Sequence, residues 1–364
     1  MKIVFDARML NSLDHGIAVH AYNLLKALVN TESGFVFSVL APKDNIIDFE
    51  NGKMEIVFSG IPMYSVSEQV LLPGVIGRLH PSLYHIPSFS APLSLKCPFV
   101  MTIHDLIHMK FSYDYSRLHR IYYKMIVKRT ARKAEKVITV SENSKKDIID
   151  FLGLEKSKIE VIPNGLDFER IRQMVAGDPK EYVRGRFGID GDFIICIGNP
   201  KPHKNLITAL KAFRKVASKS VVPVKMLIGG AGEEFLSEAG INPGKDIICA
   251  PDMSSKDLYN AVKAARMLVF PSLYEGFGYP PVEAMVLSTP VITTNVSSLP
   301  EIVKDSALLL DPLDADAMAE AVLRLLKDDS LRQNLIQKGL KTVEQYSYEV
   351  MGRRTLSLYE ELLK

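Results

Sequence analysis

The chain has 364 residues, enough for two domains that each bury their own core. Its residues are 47% hydrophobic and 24% charged, as in an ordinary soluble globular protein, and a net charge of +3 gives no reason to expect a nucleic-acid partner. Cys97, Cys196 and Cys249 lie far apart without metal-site spacing, so structural thiols in a reducing compartment are expected. The opening Met1-Lys2-Ile3-Val4-Phe5-Asp6 reaches an acid too soon for a signal peptide, and no apolar run has membrane-spanning length. A cytoplasmic protein is the expectation.

In chain order, strand-like runs occupy residues 3–5, 35–40, 56–58, 83–86, 99–103 and 137–140, with helical patterns between them. Gly16 opens a helix over 17–28. From Arg117 to Lys136 the sequence reads as one basic helix, with Arg117, Arg120, Lys124, Lys128 and Arg132 along one stripe. Such a face suits either plain solvation or peripheral contact with anionic lipid headgroups. The strand pattern restarts after about residue 190, at 193–197, 225–228, 247–249, 267–270, 290–293 and 307–310, and a helical tail runs over 347–363. Near-continuous apolar strands separated by helices imply parallel sheets buried on both faces. The fold class expected is α/β, two doubly wound Rossmann-like domains facing a cleft. The boundaries expected are an N-terminal acceptor-side domain over 1–166, a linker region over 167–190, a nucleotide-sugar domain over 191–346 and a final helix over 347–364.

The richest segment is Phe270-Pro271-Ser272-Leu273-Tyr274-Glu275-Gly276-Phe277-Gly278-Tyr279-Pro280-Pro281-Val282-Glu283. It reads as the end of a strand, a glycine-bearing loop and a helix whose first turn holds both prolines. Gly276 and Gly278 allow close backbone approach, and the helix start offers N–H groups to an anion such as a diphosphate. Glu275 in the loop and Glu283 in the first turn are acceptor-only carboxylates, suited to donating sugar hydroxyls. Taken alone, Glu283 is explained by the helix dipole; the whole spacing describes a nucleotide-sugar pocket. After the strand at 193–197 come Asn199, Lys201, His203 and Lys204, where a fixed cation would stabilise a departing diphosphate. His104 and Asp105 follow the strand at 99–103, where the imidazole could hydrogen-bond a sugar or acceptor hydroxyl, although taken alone a capped loop histidine explains it better. Asp314-Ala315-Asp316 opens a helical run and is explained by capping, without a metal. His20, His108 and His119 are scattered and make no metal site.

These segments resemble the retaining glycosyltransferases of family 4, which have the GT-B fold. The run from Glu275 to Glu283 is similar to their E-x7-E motif. Val161-Ile162-Pro163-Asn164-Gly165-Leu166-Asp167 resembles the end of their N-terminal domain, and Gly198-Asn199-Pro200-Lys201-Pro202-His203-Lys204 their diphosphate loop. Asp6-Ala7-Arg8 with Gly16-Ile17 resembles their opening strand and loop, as in bacterial mannosyltransferases of surface-polysaccharide assembly. The resemblance implies catalytic roles for Glu275, His104 and Lys204. It implies donor contacts from Gly16, Asn199, Lys204, Glu275, Gly276, Phe277, Gly278 and Glu283. Family members near this chain carry an arginine after the Gly16 position, and this chain has none there. The resemblance also implies retention, a final helix that crosses back to the first domain, and no cofactor beyond a nucleoside-diphosphate sugar. GDP-mannose is placed ahead of UDP-sugars, with a glycan or lipid-linked acceptor and no metal. The rivals are a sugar epimerase of the same fold, which needs no acceptor, and a nicotinamide oxidoreductase, which lacks its G-x-G-x-x-G here.

Overall fold

The computed structural model describes residues 1–13, 15–48, 54–111, 121–220, 223–242 and 244–364, and at Lys124 the backbone alone. The chain forms two compact units, Met1–Leu166 with Tyr346–Lys364, and Asp167–Gln345.

The first unit carries a seven-stranded sheet in the order β3-β2-β1-β4-β5-β6-β7. Its strands are β1 (Lys2–Asp6), β2 (Val36–Ala41), β3 (Met54–Phe58), β4 (Leu83–Ile86), β5 (Phe99–Thr102), β6 (Lys136–Thr139) and β7 (Ile159–Val161). All six neighbouring pairs are parallel. Both faces are covered, which is why the central strands read as unbroken apolar runs. One face packs with helix Gly16–Asn30 and helix Tyr348–Leu362 through Leu24, Leu28, Met351 and Tyr359. The other packs with helix Val66–Leu79 through Leu72 and Ile76. Ser347 caps the last helix, its hydroxyl accepting from the Val350 amide.

Two features of this unit depart from the sequence reading. Strand β7 was not anticipated: it is three residues long with Glu160 exposed, too short to show a period. The basic segment is not one helix through Lys136. A π-helical turn spans Tyr123–Val127, an α-helix follows over Lys128–Lys133, and Ala134 turns to extended backbone. Lys136 belongs to β6 and its Nζ donates to the Ser157 carbonyl, while Lys133 Nζ donates to the Leu93 carbonyl. Arg117 and Arg120 lie outside the described residues.

The second unit carries a six-stranded sheet in the order β10-β9-β8-β11-β12-β13. Its strands are β8 (Phe193–Ile197), β9 (Lys225–Gly229), β10 (Ile247–Ala250), β11 (Met267–Phe270), β12 (Val291–Thr294) and β13 (Ala307–Leu310), again all parallel. Residues 167–190 contribute two helices to this unit, Phe168–Gln173 and Pro179–Phe187; Tyr182 OH donates to Asp257 at 2.9 Å. Asp314 caps helix Ala315–Lys327, accepting from the amides of Asp316 and Ala317. Cys196 is buried, and Cys97 and Cys249 partly so; all three are free thiols. Among the described residues no helix is long and apolar enough to cross a membrane.

Candidate functional site

Each sheet has a point where strand order reverses, and open α/β sheets bind ligands there, beyond the carboxyl ends of the strands. In the second unit that point lies between β8 and β11. The loops leaving these two strands are stitched together. Leu273 N donates to the His203 carbonyl at 2.7 Å, and Asn205 Nδ2 donates to the Pro271 carbonyl at 3.0 Å. Asn205 adopts a left-handed conformation, φ 53°, and its amide also reaches the Pro312 carbonyl at 2.7 Å. This bracing fixes the short turn Pro202–Lys204 and aims Lys204.

Lys204 Nζ lies 2.6 Å from Glu275 Oε1, and Ser272 Oγ donates to the same oxygen at 2.7 Å. The ammonium also sits 5.6 Å from the centre of the Phe270 ring. The pair is shielded but not sealed, with side-chain exposures of 21% and 13%. Glu275 is held through its backbone as well, its N–H donating to Ser297 Oγ and its carbonyl accepting from Ser297 and Ser298. A cation and a carboxylate thus meet at one point, able to serve a phosphate and a hydroxyl respectively.

Beyond Glu275 the chain passes Gly276 and Phe277 to Gly278. Gly278 has φ 91°, and a Cβ there would come within 2.8 Å of Leu299 Cδ2. A side chain is therefore excluded by both conformation and space. Helix Tyr279–Val286 starts here with no side-chain cap among the described residues; Pro280 and Pro281 carry no N–H, so its first turn offers the amide of Tyr279. Phe277 is buried and its ring meets Tyr279 edge-on at 5.5 Å.

Glu283 lies one turn deeper than the sequence reading had it, because the helix begins at Tyr279. It is 8% exposed, and Tyr259 OH donates to its Oε1 at 3.1 Å. Burial pushes its carboxyl up to about 7. A carboxyl raised from 4.5 to about 7 on folding stabilises the chain fully below 4.5 and loses that contribution as pH rises through 7. Glu283→Gln should therefore flatten the loss of stability between those two values, as followed by thermal unfolding across pH. An unchanged profile would remove Glu283 as its source.

In the loop after β8, Asn199 is exposed and His203 buried, so the histidine presents no open cation there. Gly198 N donates to the Gly229 carbonyl at 2.9 Å, and a Cβ on Gly230 would lie 3.1 Å from the Gly198 oxygen. The glycines after β9 thus serve close strand-end packing.

In the first unit His104 follows β5. Its Nε2 lies 3.2 Å from the Pro87 carbonyl. A carbonyl only accepts, so Nε2 carries the proton and the neutral ring keeps an acceptor lone pair on Nδ1. Burial lowers His104 to about 4, which keeps it neutral near pH 7. His20, set aside on sequence, packs edge-on against it with ring centres 4.6 Å apart. His20 is buried, its Nδ1 is 2.8 Å from Asn164 Oδ1, and its Nε2 has no partner among the described residues. Burial pushes His20 well below the usual histidine range. Nothing in the local pattern links residues 20 and 104; only the fold does. Gly16 is the exposed first residue of its helix, capped by His15, whose Nδ1 accepts from Ala18 N. Among the described residues no three His, Cys, Asp or Glu side chains cluster as a metal site.

A family described as "Glycosyl transferases group 1" matches residues 182–342, and "Glycosyltransferase Family 4" matches residues 15–170. O-antigen chain mannosyltransferase B of Escherichia coli is 28% identical over 100% of both chains. An uncharacterized glycosyltransferase of Methanocaldococcus jannaschii is 24% identical over 95% of this chain and 94% of its own length. Among solved structures, Anabaena Alr3699/HepE in complex with UDP and glucose superposes with TM-score 0.74 at 16% identity, covering 99% of this chain and 100% of its own. Sucrose-phosphate synthase from Thermosynechococcus elongatus superposes with TM-score 0.75 at 18% identity, over 99% and 98%.

Proposed function

Because this chain belongs to the family 4 glycosyltransferases, enzymes of the GT-B fold, we propose that it transfers mannose from GDP-mannose to a hydroxyl of a glycan or lipid-linked acceptor, with retention. The observation that carries the reading is the contact of Lys204 with Glu275 at the switch point of the second sheet. In this reading the donor diphosphate engages Lys204 and the backbone N–H of Tyr279 at the start of its helix. A fixed cation gains most where charge accumulates, on the departing diphosphate, and so favours the transition state over the ground state. Glu275, relieved of part of its ion pair, accepts from sugar hydroxyls, and Glu283 accepts from the ribose diol. Gly276, Phe277 and Gly278 contribute backbone contacts to the donor, and Asn199 a polar one. His104 accepts from a substrate hydroxyl through Nδ1. Mannose is preferred because the full-length relative is named a mannosyltransferase. Lys204 and the Tyr279 amide carry the leaving group without a metal.

A thermal-shift panel of GDP, UDP, ADP and their sugars tests this directly. A ligand at a hundred times its dissociation constant adds about 2.7 kcal/mol of stability. GDP and GDP-mannose should stabilise the chain, equally well with a chelator present. Stabilisation by UDP-sugars alone would refute the donor assignment, and a response that needs magnesium or manganese would refute the metal-free step.

A further inference from the structure

Resting on the glycosyltransferase reading, we propose that the ring stack ending in Tyr64 is a platform for one neutral pyranose of the acceptor glycan. The stack draws on three connections that leave the sheet of the first unit. Tyr64 lies after β3, Phe89 after β4 and Tyr123 after β5. Tyr64 and Phe89 stack with centres 5.2 Å apart and planes 30° apart. Phe89 and Tyr123 continue the column at 5.1 Å and 31°, and His108 extends it at 5.6 Å and 36°. The inner face of Tyr64 is covered by Phe89, while the residue as a whole stays 52% exposed.

Folding alone does not account for this ring. Tyr64 has φ 57°, a left-handed conformation that a bulky side chain disfavours, and its exposure forgoes much of the gain from burial. The conformation is nonetheless clamped. Tyr64 N donates to Glu68 Oε2 at 3.0 Å, and Glu68 is fully buried. Arg8 Nη2 holds Glu68 Oε1 at 2.6 Å, Ser90 Oγ holds Oε2, and Arg8 is paired with Asp6 through two further bonds. The Asp6-Ala7-Arg8 motif thus ends in the backbone conformation of one surface residue. Strain maintained in this way is a mark of a working surface.

The chemistry around the ring selects a sugar. One aromatic face matches the C–H face of one pyranose. Asp6, Arg8 and Glu68 sum to one formal negative charge, unfavourable to an anionic headgroup. The loop that carries Phe89 also carries Pro87, the carbonyl partner of His104, so the platform and the candidate catalytic histidine share one loop. A lipid surface would place no demand on the tilt of a ring, whereas a stacked pyranose does.

The chain has no tryptophan, so Tyr64→Trp gives a single indole reporter. The full chain, its Tyr64→Ala and its Tyr64→Trp forms are titrated with α-linked mannobioses, N-acetylglucosamine and glucose, and separately with GDP. Saccharide affinity should fall about tenfold in Tyr64→Ala. It should persist in Tyr64→Trp with a saturable emission change, and GDP affinity should be the same in all three. Should Tyr64→Ala fail to fold, the indole emission of the Tyr64→Trp form decides. Equal saccharide affinity in Tyr64→Ala, or a wild-type chain that binds GDP but no saccharide, would overturn the platform. So would indole emission in Tyr64→Trp that responds to lipid vesicles and not to saccharides, the outcome favoured if exposed Val66, Val70 and Leu71 make this a lipid-facing helix. Failure of the transferase reading differs, since it removes GDP binding whatever stands at position 64.

Discussion

Glu275→Gln is expected to cut sugar transfer roughly 100-fold, in line with the loss of one preorganised polar group at a reacting centre, while leaving GDP affinity equal or stronger. The sign of the second effect follows from the geometry. Lys204 Nζ spends its strongest contact on Glu275 Oε1 at 2.6 Å, so a diphosphate must compete with that carboxylate. Glutamine keeps the shape and the acceptor for Ser272, removes the charge and releases the lysine toward phosphate. Transfer is measured with an acceptor, or as slow release of sugar from the donor without one, and GDP affinity by titration calorimetry. Near-normal turnover would end the case for Glu275 in the reaction. Weaker GDP binding would mean that the glutamate organises the loop rather than restraining the lysine.

The largest effect on stability is expected at Gly165. A Cβ there would lie 2.5 Å from Tyr348 Cα and 2.9 Å from the Ser347 carbonyl, both backbone atoms that cannot rotate away. The close approach is what lets Leu166 exchange backbone hydrogen bonds with Tyr346 and Tyr348. Asn23 Nδ2 also donates to the Gly165 carbonyl at 2.9 Å, which ties the crossing to helix Gly16–Asn30. Gly165→Ala should cost about 3 kcal/mol, at the upper end of what overpacking usually imposes. Gly34→Ala is the control, because a Cβ at Gly34 meets nothing within 4 Å. Urea unfolding of the two variants gives the comparison, and equal midpoints would show that the crossing relaxes freely.

Much of the architecture is legible without coordinates because a strand buried on both faces must be apolar at every position. Phe193–Ile197 and Met267–Phe270 announce themselves in this way, and so does the restart of the pattern in the second half. The glycine loop around Gly278 and the cap at Asp314 are equally local, since a positive φ or an N-cap is set by a few neighbouring residues. β7 escapes for the converse reason, as a short strand with one exposed position carries no period. What the tertiary structure alone decided is which distant side chains meet. Lys204 and Glu275 are 71 residues apart, Tyr259 and Glu283 are 24 apart, and His20 reaches Asn164 across 144. The same holds for charge. Glu283 is raised by burial beside Tyr259, and Arg8 is bound between two carboxylates; neither state is visible in a residue name. Sequence periodicity records how often a residue faces the core. The partner it finds there is set by strand order, and the order reverses at the strands whose following connections carry Arg8, His20, Lys204 and Glu275.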